Sequence, residues 1–151
     1  MLKVSFELLA NSPTSDRTIS GYAMGHMSLS GAYGDVSSKN MTPPKTMMIF
    51  LSIVDLLDGL RRLICTSEET VYNLIGTDTS FSVFFEKIGN GIRISANGSI
   101  IDQCPADCVA TAVIEGVDLF LASTPQPDEP ALTDLVHSIA DFREMLNRMK
   151  T

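Results

Sequence analysis

Along the first ten residues apolar and polar side chains alternate. Leu2, Val4, Phe6 and Leu8 fall on one side, Lys3, Ser5 and Glu7 on the other. A period of two predicts a half-buried strand over residues 2–10. Residues 11–17, NSPTSDR, are turn formers and read as a loop. Residues 19–31 make a second strand, in which two internal glycines weaken the pairing or imply a bulge. Residues 32–45 carry Gly, Ser, Asn and paired prolines and read as a loop.

The period then changes. Ile49, Ile53, Leu56, Leu60 and Leu63 recur at spacings of three and four, and Phe50, Leu57 and Ile64 widen the stripe. This predicts a helix from near Lys45, apolar enough to pack against a sheet. Arg61 and Arg62 lie near its C-terminal end, where cations complement the helix dipole. Strand patterns return at 70–76, 80–88, 91–96 and 99–103. Asn90-Gly91 and Asn97-Gly98 separate the last three, and such pairs make tight antiparallel hairpins. In the second of these strands Phe81, Val83 and Phe85 face one way and Phe84 the other. Pro105 suits a first helical turn, and Val109, Ala112, Val113, Val117 and Phe120 share a face over 106–122. Three prolines in STPQPDEP end that helix. A last helix over 131–150 places Leu132, Leu135, Val136, Ile139, Phe142, Met145 and Leu146 on its apolar side.

Strands and helices are segregated rather than alternating, which predicts an α+β fold. The expected architecture is one mainly antiparallel sheet, two N-terminal strands plus a meander at 70–103, with about three helices on one side. The 151 residues suit a single domain, 1–151.

Charge narrows the partners. The net charge is −7, which disfavours nucleic acid, since phosphate neutralisation needs clustered Lys and Arg. Between Arg93 and Arg143 no Lys or Arg occurs, while Asp102, Asp107, Glu115, Asp118, Asp128, Glu129, Asp134 and Asp141 do. Two readings stay open. One is a solvated acidic face, with Asp107, Asp128 and Glu129 also offsetting helix N-termini. The other is a field that steers a basic protein partner. The apolar run 47–57 is too short to cross a bilayer and carries Asp55, and the N-terminus lacks the unbroken apolar segment of an export signal. A soluble, cytoplasmic protein without membrane partners is expected. An odd count of three cysteines argues against a disulfide framework.

Candidate chemistry is sparse. Cys104 and Cys108 are four apart, but the other potential zinc ligands, Cys65, His26 and His137, are scattered and form no second pair. The cysteines read better as small hydrophobes than as reactive thiols, since no Lys or Arg lies near them in sequence. Neither histidine stands in a hydrolase motif, and phosphate-loop and zinc-protease signatures are absent. Asp55 and Asp58, three apart, read as a solvated helix edge with Asp58 near Arg61 or Arg62. Catalytic residues, cofactors and metals are therefore not expected. Met24, Met27, Met47 and Met48 suit the core better than an adaptable binding surface.

The helical stretch MMIFLSIVDLLDGLRRLI, the stretch TDTSFSVFFEKIGNGIRISANG and the helix after them resemble small bacterial immunity proteins. These are antidotes encoded beside toxins used in competition between bacteria. The resemblance spans roughly residues 46–122 and includes DLLDGL followed by an aromatic strand after a Ser-Phe pair. It implies a non-catalytic binder that blocks the active site or substrate approach of a cognate toxin. Many such antidotes are acidic because nuclease toxins present basic clefts. No individual contact residue carries over. The acids of the last third that would meet such a partner are Asp102, Asp107, Glu115, Asp118, Asp128, Glu129 and Asp134. An acidic secretion chaperone or adaptor, of a kind that dimerises, is the alternative. A small enzyme using Cys104, Cys108 or His137 is third.

Overall fold

The computed structural model describes residues 1–9 and 18–150, so the loop expected at 11–17 lies outside the described residues. In chain order come β1 (Lys3–Leu8), β2 (Thr18–Ile19), β3 (Met24–Ser30), β4 (Asp35–Ser37), a short 3-10 turn (Ser38–Asn40) and β5 (Met47–Met48). Then follow α1 (Ile49–Cys65), β6 (Val71–Ile75), β7 (Ser82–Ile88), β8 (Gly91–Ala96), β9 (Ser99–Pro105), α2 (Ala106–Ala122), β10 (Gln126–Pro127) and α3 (Ala131–Met149). The fold is α+β, with antiparallel sheets and three helices.

The strands make two four-stranded antiparallel sheets rather than one, and β2 and β10 form a separate two-stranded parallel pair. In the first, β3 is central, with β1 along one side and β4 and β5 along the other. The second is the expected meander, β6-β7-β8-β9, all antiparallel. Asn97 and Gly98, both at positive φ, close its last hairpin, as the sequence pair demands. The sheets meet where the Tyr33 N–H donates to the Ile101 carbonyl at 2.9 Å. Gly31 makes that approach possible, since a Cβ there would sit 2.5 Å from the Ile101 oxygen and 2.5 Å from Asp102 Cβ.

Three boundaries differ from the sequence reading. The stretch 19–31 is broken by a turn in which the Ala23 N–H donates to the Ser20 carbonyl at 3.0 Å. Before that turn β2 pairs in parallel with β10; after it β3 pairs with β1. The first helix starts at Ile49, not near Lys45, because fully buried Met47 enters the first sheet opposite Gly25. The segments read as loops at 32–45 and 123–130 contain β4, the 3-10 turn, β5's approach and β10.

Helices cover the buried faces of both sheets. α1 packs on β6 and reaches β3, and α2 packs on β1 and reaches β8 and β9. α3 packs mainly on α1 and α2. Gly116 lets α2 close on β1, since a Cβ would lie 2.2 Å from the Val4 carbonyl oxygen. Gly59 in α1 makes room for the Tyr72 ring, whose hydroxyl donates to the Asp55 carbonyl at 2.8 Å. Phe6 and Phe50 both meet Phe120, with ring centroids 6.1 and 5.8 Å apart. The apolar stripes of α1 and α2 are buried as expected, and Met27 and Met47 fill core space. On α3 the reading was too generous: Leu135, Phe142, Met145 and Leu146 are buried, but Val136 is 54% exposed.

Candidate functional site: an acid-walled cleft

The site begins with an irregularity in β9. Opposite β8 the register runs Cys104 to Ile92 and Asp102 to Ile94, then shifts so that Ile100 meets Ser95. Ile101 is the extra residue of a β-bulge, and bulges re-aim the side chains beside them. Ile92 and Ile94 belong to the buried face, so their partners Cys104 and Asp102 turn inward with them. A carboxylate thus occupies a core-facing sheet position. α2 starts directly after β9 and passes over these two residues.

Between β9 and α2 lies a cleft of about 360 Å³. Its charged and sulfur-bearing walls are Asp102, Cys104, Asp107, Cys108 and Glu115; Met1, Leu2, Ala32, Thr111 and Ala112 complete it. Asp102 is only 5% exposed, and its Oδ1 accepts the Gln103 N–H at 2.7 Å. Asp107 and Glu115 are exposed along α2. Among the described residues the ion pairs are Lys39–Glu7, Arg143–Asp118 and Arg148–Glu144, so none involves the three cleft carboxylates, although Met1 lines the same cleft. Burial pushes the Cys104 thiol up to about 11; the Asp102 charge and Cys108 push the same way, with the Met1 amino group opposing. That thiol is a poor nucleophile at neutral pH.

The other candidate acids sit elsewhere. Asp118 pairs with Arg143, tying α2 to α3. Asp128 Oδ1 accepts the Gly21 N–H at 2.7 Å, and its carbonyl accepts the Leu132 N–H at 3.1 Å. Glu129 accepts the Thr133 hydroxyl. Asp134 joins Asp128 and Glu129 around a small hollow of about 50 Å³ beside Gly21. The seven acids therefore split into three at the cleft and four along the α2–α3 side.

Several expectations change. Cys65 and Cys108 are exposed, so they are not small core hydrophobes; each ends or begins a helix at the surface. Only Cys104 is half-buried and packs against the core. His137 is exposed on α3 and does not line the cleft, so no thiol–imidazole pair forms there. Asp55 and Asp58 are half-buried rather than solvated, and neither Arg61 nor Arg62 forms an ion pair with Asp58. Both approach Tyr72, whose phenol is pushed up, first by burial and then by Asp55. His26 is buried in β3, with Nδ1 2.9 Å from Ser38 Oγ, which also accepts the Met27 N–H at 3.1 Å. Burial pushes that imidazole down, with Glu7 opposing. Ser38 is fully buried, so this pair braces the 3-10 turn and offers substrate no access. Among the described residues no group of three or more His, Cys, Asp or Glu is placed to hold a metal ion. Among the described residues no helix is long and apolar enough to cross a membrane.

Sequence reasoning missed the inward turn of Asp102. The available signal was the doubled Ile100-Ile101 in an otherwise alternating strand, which fits an inserted residue. It also missed the outer face of the second sheet. There Phe84 pairs with Asn73, and Val71 and Ile75 lie diagonally beside it. Val71, Ile75, Phe84 and Ile100 are all more than two-fifths exposed, at 47%, 52%, 44% and 43%.

Comparisons with family models, curated proteins and solved structures give no match.

Proposed function

We propose that this protein is a non-catalytic immunity protein that binds a basic, cytoplasm-acting toxin and occludes its active or substrate site. The observation that carries the reading is the convergence of Asp102, Asp107 and Glu115 on one cleft, none of them held in an ion pair among the described residues. A low-dielectric cleft with one sign of charge focuses its field and raises the encounter rate with an opposite surface. The layout resemblance over roughly residues 46–122 supports the same reading.

The test is co-expression with the product of the neighbouring gene. The expected outcome is a protein that is toxic alone, harmless together with this chain, and recovered with it as a one-to-one complex. Reversing Asp107 and Glu115 to Lys is expected to slow association by about 10-fold or more at low salt. A neighbour that neither binds nor harms the cell overturns the toxin reading.

One observation favours a second reading, an acidic secretion chaperone or adaptor working as a dimer. The exposed Val71, Ile75, Phe84 and Ile100 form the kind of apolar face that interaction surfaces use. A stable homodimer by light scattering, lost on Phe84→Ser and indifferent to the cleft reversals, would favour it.

A further inference from the structure

The second sheet ends in an open edge. β6 is its terminal strand, and among the described residues only β7 pairs with it. The Lys87 N–H donates to the Thr70 carbonyl and the Gly76 N–H to the Phe81 carbonyl, both at 2.9 Å. Hydrogen-bonded pairs alternate along an antiparallel ladder, so Tyr72 and Leu74 also turn their backbone groups to β7. The N–H and C=O groups of Val71, Asn73 and Ile75 therefore point the other way, where no strand among the described residues meets them. Beyond Ile75 this edge closes. The Thr77 carbonyl accepts the Met48 N–H at 3.0 Å, and the Thr77 N–H donates to Ser52 Oγ at 2.9 Å. The open stretch is thus Val71–Ile75, with Asn73 at its centre.

Other edges of the molecule are guarded. β1 carries Lys3 and Glu7, β4 carries Asp35, and the Ile101 carbonyl of β9 accepts the Tyr33 N–H at 2.9 Å. Charges and covering segments are usual means of blunting a strand edge. Residues 70–77, TVYNLIGT, hold no charge and no proline, and the β6–β7 register runs without a bulge. Residues 102–151 hold nine acids and three bases, so most of the net charge of −7 lies in β9 and the segments after it. Like charge therefore does not oppose contact along β6 itself. Glu68, Glu69 and Asp78 stand just outside the stretch and discourage longer pairing.

The stretch matches itself. About Asn73, an antiparallel second copy sets Val71 against Ile75 of that copy, Ile75 against its Val71, and Asn73 against its Asn73. All are hydrogen-bonded pairs, each exchanging two N–H···O bonds, so every open backbone group of the stretch is met. Val71, Ile75 and Phe84 stand 47%, 52% and 44% exposed on the outer face, and Phe84 is the β7 partner of Asn73. A twofold axis at Asn73 brings both sets along one apolar seam. A foreign strand could use the same backbone bonds, but the matched placing of Val71 and Ile75 about Asn73 favours an identical one.

We propose that β6 pairs antiparallel with β6 of a second copy, joining two four-stranded sheets into one across a twofold axis at Asn73. This deepens the dimer reading by naming its contact, and it does not rest on the toxin reading. β9 is the opposite edge of the sheet, so the cleft between β9 and α2 stays open on both copies.

The test is sedimentation of the full chain from about 1 µM to about 1 mM, a range that brackets weak and moderate self-association. The mass should double over that range. In a chain labelled with nitrogen-15, amide exchange at Val71, Asn73 and Ile75 should slow by about tenfold or more as the dimer forms. Asn73→Pro removes an N–H that β7 does not use and should weaken the dimer by about tenfold or more. Should it fail to fold, the exposed Ile75→Lys carries the test, since a charge on the edge opposes strand pairing. A monomer at every concentration, a dimer that leaves the three amides unprotected, or a dimer unchanged in a folded variant overturns the proposal. So does protection of these amides only on addition of a different protein. Reversing Asp107 and Glu115 to Lys should leave the dimer intact, so failure of the toxin reading and failure of this pairing are read separately.

Discussion

Asp128 and Asp102 each lie against a glycine, and the two contacts end differently. At Gly21 a Cβ would come within 3.2 Å of Asp128 Oδ1, and the glycine's own N–H donates to that oxygen at 2.7 Å. At Gly31 a Cβ would come within 2.9 Å of Asp102 Oδ2, yet the N–H turns away to the Gly34 carbonyl at 2.9 Å. The first carboxylate closes the segment before α3 onto the turn after β2. The second accepts the Gln103 N–H and belongs to the more deeply buried residue of the two. A residue that holds the fold is surrounded by its own chain's donors. A residue with fewer of them at the wall of an open cleft is available to an external partner.

The largest effect that can break this contrast concerns the cleft's dryness. If the walls around Asp102 withhold water, Cys104 beside it must ionise late, near pH 11 against an ordinary 9.0. At neutral pH it then carries about 100-fold less thiolate than an ordinary thiol. Alkylation of a chain carrying Cys65→Ser and Cys108→Ser should therefore follow a pH–rate profile rising toward 11. A midpoint near 9 would show the cleft to be ordinary wet surface, and the contrast with Asp128 would lose its meaning.

The next comparison is between the aspartates themselves. Asp128→Ala removes a charge-assisted bond to a backbone N–H and is expected to cost about 1–2 kcal/mol in urea unfolding, discounted for its exposed setting. Asp102→Asn keeps an oxygen for the Gln103 N–H and removes the charge of a carboxylate that forms no ion pair among the described residues. It is expected to leave stability unchanged or to raise it by up to about 1 kcal/mol. A loss for Asp102→Asn as large as that for Asp128→Ala would make Asp102 a structural residue.

Much of this was legible in the sequence, and the reasons are local. The Asn-Gly pairs, the period-two strands and the stripes of α1 and α2 state their structure within a few residues. The acid-rich, cation-free interval was also legible as composition, and the cleft lies inside it. What stayed hidden depends on contacts distant in sequence. β2 and β10 exist only because each finds the other, with Thr18 opposite Gln126. Met47 leaves the helix pattern for β5 because Gly25 offers a place in the first sheet. The sorting of the acids follows the same rule. Nothing near Asp118 announces Arg143 as its partner, and the doubled Ile100-Ile101 before Asp102 fits an inserted residue without showing which neighbour it turns inward. Val136 fits the apolar period of α3 but finds no neighbour to cover it.

The smallest effect concerns Asp118, the α2 acid that the fold already pairs. Both members of the Arg143–Asp118 pair keep about half their side-chain exposure, 48% and 46%, so water and salt screen the attraction. A double-mutant cycle with Asp118→Asn and Arg143→Gln should give a coupling of about 0.2–1 kcal/mol, shrinking as salt is added. Asp118→Asn should leave the association rate with a basic partner within about twofold, since it does not line the cleft and its charge is already met by Arg143. A larger drop would mean that the acids act as one diffuse field, and that the division between a cleft group and a bracing group has no energetic content.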